Sequence, residues 1–120
     1  MSNLFEKIRK AEDLKREKIG IPEWDLEVVM TALTSREKII VAEQMPSKDK
    51  DTTMVDQLEL QYKIIALCLK DENGKTIIPI EKSDILASKN AEVVDRLIEV
   101  CNRVNGFDKK DNNVDTAEKN

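Results

Sequence analysis

The stretch from Met54 to Lys70, MVDQLELQYKIIALCLK, constrains the fold of this chain more than any other. Met54, Leu58, Tyr62, Ile65 and Leu69 recur at spacings of four, four, three and four, the period of one helix face. Leu60, Ile64 and Leu67 widen that face, and in IIALCL the apolar surface extends nearly all the way round. A helix apolar on most sides is a buried one, so the pattern predicts a central core helix. It should begin near Thr52 or Thr53 and run to about Lys70. The remaining segments of a 120-residue chain must then be arranged around it.

Ahead of it, Asn3 and Glu6 form an N-cap residue and its partner, predicting a helix through NLFEKIRKAEDLKREK. Leu4, Ile8, Ala11 and Leu14 make one thin apolar stripe on that charged helix, with Phe5 beside it. So thin a stripe cannot hold a core, which favours a docking surface over packing. Gly20 and Pro22 should end the helix. Residues 21–33 alternate in part, with Trp24, Leu26 and Val28 on one side and Asp25 and Glu27 on the other. That is strand-like, with Pro22 suited to an edge or a strand start. Thr34 and Glu37 read as a capping box opening a helix at Ser35, which carries Ile39, Ile40, Val41, Ala42 and Met45 and stops at Pro46. The loop PSKDKD follows.

After the central helix, Asn73-Gly74 signals a turn and TIIPI, at 76–80, a second short extended piece. EKSDILA should form a short helical turn, and Ser88 or Asn90 should cap a last helix, AEVVDRLIEVCNRVN. Its inner face is Val94, Leu97, Ile98, Cys101 and Val104. Gly106 supplies the positive φ of a Schellman ending, with Phe107 folding back on the last turn. The fold class is therefore mainly α: a small domain of about four helices with a short extended or β segment near 21–33 and another near 76–80. The chain divides into a charged amphipathic N-terminal helix at 1–20, a folded domain at 21–107 and a disordered polar tail at 108–120.

The residue inventory excludes much chemistry. With no histidine, triads of the Ser-His or Cys-His type cannot be built, and the commonest metal ligand is missing. Gly20, Gly74 and Gly106 are too far apart to cradle a phosphate. A calcium loop around LKDENGK fails, because placing Gly74 at the sixth position puts Leu69 at the first and Ile80 at the twelfth. Carboxylate pairs such as Asp71 with Glu72, or Asp56 with Glu59, read as solvated helix faces in a chain that is 37% charged. Neither a cofactor nor a catalytic or metal site is expected. The net charge of −4 and the absence of a basic stripe with stacking aromatics speak against nucleic acid. No apolar run is long enough to span a bilayer. Cys68 and Cys101 form no CxxC pair and read as buried free thiols in a cytosolic protein.

Certain short motifs occur in a telling order: Glu23-Trp24 in PEWDLEVVM, then Leu33-Thr34 with Glu37, then Asp71 to Lys75, then Asn105-Gly106-Phe107. Over roughly 21–107 the chain resembles the tail assembly chaperones of long-tailed bacteriophages and of defective prophages in Gram-positive genomes. The N-terminal helix departs from that pattern, being longer and more charged. The resemblance implies a non-enzymatic role, in which the protein coats the long, apolar tape measure protein and keeps it soluble until the tail tube polymerises around it. The tail tube protein and further copies of the chain are the other implied partners. The implied location is the host cytoplasm, with the protein absent from the finished particle. Many such proteins are also made as a frameshifted longer form, and the tail after Phe107 is where one would be joined.

Two readings of Trp24 stand beside each other. It anchors the extended segment onto the central helix, the favoured reading, or Trp24, Leu26 and Val28 present part of an edge to a client or a neighbouring copy. Leu4, Phe5, Ile8 and Ala11 are the other candidate partner-binding residues. A small helical regulatory adaptor that binds or inhibits one partner protein is the alternative function.

Overall fold

The computed structural model describes residues 2–45 and 53–107. The loop expected at 46–51 and the tail expected at 108–120 lie outside the described residues. The chain runs α1 (Ser2–Lys10), β1 (Arg16–Ile21), β2 (Leu26–Thr31), α2 (Ser35–Gln44), α3 (Met54–Cys68), β3 (Leu69–Lys70) and α4 (Ala91–Asn105). Short 3-10 segments at Pro22–Trp24 and Ile80–Ser88 complete it. The architecture is mainly helical around a small three-stranded antiparallel sheet of order β1-β2-β3.

The N-terminal helix is shorter than its sequence suggests. It stops at Lys10, and Arg16–Ile21 is a strand, paired with β2 from Arg16↔Thr31 to Ile21↔Leu26. Glu17, Ile19 and Ile21 alternate with Arg16, Lys18 and Gly20, a period of two that the helical stripe upstream obscured. Leu14 therefore leaves the stripe. It lies beyond the helix, half-buried near the start of β1.

The expected extended segment at 21–33 is in fact a turn and a strand. Pro22 opens a 3-10 turn, where its missing N–H costs nothing, and Asp25 closes it in the left-handed region at φ 53°. Val28 and Met30 of β2 then face the same side as Ile19 and Ile21 of β1 and are buried. Thr76 makes one bridge to Lys70, but 77–80 forms no strand, so the second extended piece is a bend leading into Ile80–Ser88.

Asn3 lies inside α1, which begins at Ser2, so it is not the cap expected of it. The starts of α2, α3 and α4 follow their local signals. Thr34 Oγ1 accepts from the Glu37 N–H while Glu37 Oε1 accepts from the Thr34 N–H, and Thr53 with Asp56 repeats the arrangement on α3. Asn90, not Ser88, caps α4, accepting from the N–H groups of Glu92 and Val93. Gly106 ends α4 at φ 75°, while Phe107 remains exposed.

The core sits where α4 and the last turns of α3 cover one face of the sheet. Val93, Val94, Leu97, Val100, Cys101 and Val104 of α4 meet Ile65 and Cys68 of α3, Leu69, Ile21, Val28 and Met30. Only the C-terminal half of α3 is covered. Met54 and Val55 are 75% and 62% exposed, so the prediction of a helix buried along its length holds for its last turns alone.

Candidate docking surfaces

The hairpin joining β1 to β2 positions Trp24. The Asp25 N–H donates to the Pro22 carbonyl at 3.1 Å, which closes the turn and lays the indole half-buried against the core. An ion pair between Arg96 on α4 and Glu23 ties the same turn down. The N–H of Glu23, then Arg96, hold the Glu23 carboxyl below its ordinary value.

Beside Trp24 lies an open cavity of about 290 Å³. Trp24, Leu26, Val28 and Leu69 line it together with Ile77, Ile78, Ile85 and Leu86, and Glu27 and Lys89 are its charged members. The register explains why it is open. β3 pairs only with Val29 and Met30, leaving 26–28 of β2 without a strand on that side among the described residues. β2 is thus flanked by β1 along its whole length and is an edge only there. Trp24 both packs on the core and lines the opening, so the two readings of it describe two sides of one ring. Val28 is 4% exposed and serves as floor, while Leu26, at 44%, stands at the rim.

Leu4, Phe5 and Ile8 form a separate surface. They are 66%, 65% and 76% exposed on α1, and Ala11 is exposed just past its end. The structure does not bring this stripe together with Trp24, Leu26 and Val28. Sequence reasoning missed Ile77 and Ile85 as walls of the cavity. Nothing local marks them, because TIIPI and EKSDILA acquire their placement from the turn at Asn73-Gly74 and from packing on α3. It also missed Ile39 and Met45 of the α2 region with Met54, Val55 and Leu58 of α3, all exposed. Met54 and Leu58 are legible as apolar periodicity but read as burial, while Ile39 and Met45 read only as members of the α2 segment and Val55 lies off the periodic face.

Around these apolar areas the surface is set by ion pairs. Arg103 Nε donates to Glu17 Oε1 at 3.0 Å, joining α4 to β1, and this contact lowers the Glu17 pKa. Lys70 reaches Glu37 at 3.5 Å, linking β3 to the first turn of α2. Asp71 Oδ1 accepts from the N–H groups of Asn73 and Lys75, which shapes the DENGK turn and, through Lys75 first, lowers the Asp71 pKa. No helix among the described residues is long and apolar enough to cross a membrane.

Comparison of the whole structure places this arrangement among solved proteins. It superposes on the tail assembly chaperone of bacteriophage HK97 with a TM-score of 0.62, over 85% of this chain and 97% of that one. The fold is that of a phage tail assembly chaperone. Sequence identity with the HK97 protein is 13%, so the likeness lies in the path of the backbone. No family model matches the chain, and no curated protein matches it by sequence.

Proposed function

We propose that this protein is a tail assembly chaperone that binds the tape measure protein and keeps it soluble during tail morphogenesis. The observation that carries the reading is the fold shared with the HK97 chaperone over most of both chains. Two features of the chain support it. A holdase needs apolar contact area on a body that stays in solution, and here exposed Leu4, Phe5, Ile8 and Leu26 stand on a chain that is 37% charged. The chain also has no histidine with which to build the usual acid–base machinery.

In this reading the client's apolar segments engage the cavity at Trp24 and the α1 stripe, acting in the host cytoplasm, and are released as the tail tube forms. The tail tube protein and a second copy of the chain are further candidate partners. Co-expression with the tape measure protein of the same genome tests the proposal. The expected result is a several-fold rise in soluble tape measure protein and its co-purification with the chain. An unchanged soluble yield overturns it.

A further inference from the structure

The two cysteines, 33 positions apart in sequence, meet in the core. The Cys101 thiol donates to Cys68 Sγ at 3.7 Å, and both residues are fully buried. Asn105 completes the group: its Nδ2 donates to Cys68 Sγ at 3.5 Å, to Cys101 Sγ at 3.6 Å and to the Cys101 carbonyl at 2.8 Å. Two donors therefore converge on one sulfur. We infer that Cys68 and Cys101 form a dithiol site that a small hydroperoxide oxidises to an internal disulfide joining α3 to α4.

The geometry assigns the roles. The hydrogen bond from Cys101, helped by the Asn105 amide, draws the Cys68 pKa down, whereas giving that hydrogen to Cys68 and being buried push the Cys101 pKa up. Cys68 is the attacking sulfur and Cys101 the resolving one. In the first step the Cys68 thiolate attacks one peroxide oxygen; the S–O bond forms, the O–O bond breaks, and the leaving oxygen takes the thiol proton, departing as an alcohol or water. Cys68 is then a sulfenic acid. In the second step Cys101 sulfur attacks Cys68 sulfur; the S–S bond forms, the S–O bond breaks, and the hydroxide leaves as water with the Cys101 proton. Two thiols lose two electrons and one peroxide gains them.

Closing 3.7 Å to a bonded separation needs the sulfurs to approach by less than about 2 Å, within reach of side-chain rotation at two positions. Burial selects the oxidant, since a hydroperoxide enters through small local openings that exclude a protein disulfide or glutathione. In a reducing cytosol the pair stays as thiols.

The test treats the purified full-length chain with hydrogen peroxide and reads the cysteine peptides under non-reducing conditions, which separates this chemistry from methionine oxidation. The expected product is a peptide pair linked between Cys68 and Cys101, lighter by its two thiol hydrogens. It should be reversed by reductant and accompanied by an upward shift in Tm of about 5 °C or more. In Cys101→Ser, peroxide should leave a Cys68 sulfenic acid that a dimedone probe captures; Cys68→Ser should capture none. Retention of two alkylatable thiols after treatment, cross-linking between separate chains, or over-oxidation without an internal link would overturn the inference. The wild-type readout stands by itself should either variant fail to fold.

Discussion

The backbone N–H of Leu33 donates a 2.8 Å hydrogen bond to Oδ1 of Asn105, which joins the exit of β2 to the last residue of α4. The other end of the same amide holds the Cys101 carbonyl. One side chain thus ties Leu33, 72 positions away, to the last turn of α4. Asn105→Ala takes the partner from the partly buried Leu33 N–H and should cost about 2 kcal/mol. Urea unfolding checks this: the midpoint should fall with the slope unchanged, and an unaltered midpoint would show that water replaces the amide at no cost.

Leu4→Asp combined with Ile8→Asp should leave stability within about 0.5 kcal/mol of the parent, because both side chains are already exposed. Their loss should weaken capture of the tape measure protein several-fold in a pull-down. A fall in Tm matching the loss of binding would instead make α1 part of the folded core.

The cavity beside Trp24 separates rim from floor. Leu26→Asp should abolish much of the client binding while the domain stays folded, whereas Val28→Asp buries a charge and should unfold it, at a cost of more than about 3 kcal/mol. Since Trp24 is the chain's single tryptophan, its fluorescence reports this surface directly. Adding a client peptide should shift its emission to the blue as water leaves the ring, and an unmoved spectrum at saturating peptide would place the contact elsewhere.

Acid should destabilise the fold in a defined window. Glu17 and Glu23 have pKa values below the ordinary 4.5, and Asp71 lies below 3.8. For each, the unfolded chain takes up protons first as pH falls. Their contribution is therefore fully present above those ordinary values and is lost as pH drops through the lowered ones. Thermal melts from pH 7 to pH 2 should show these three groups contributing nothing to any slope above about pH 5 and a falling Tm below about pH 4. Glu17→Gln should flatten that acid limb, and an identical limb in the variant would remove Glu17 from the account.

Sequence by itself determined the features that close over a few residues. Thr34 with Glu37, Asn90 and Gly106 set helix ends through hydrogen bonds or backbone freedom available within one turn, and the inner face of α4 follows from its period. Tertiary structure alone decided the rest. Arg16–Ile21 is a strand because β2 lies beside it, and no local pattern outweighs the upstream helical stripe. The apolar face of α3 is only half covered, so periodicity showed which residues could be buried but not which are. Trp24 lines an opening because β3 is two residues long. Cys68 meets Cys101 because α3 and α4 cross there. Contacts between distant segments depend on how elements pack, and that information is spread over the whole chain.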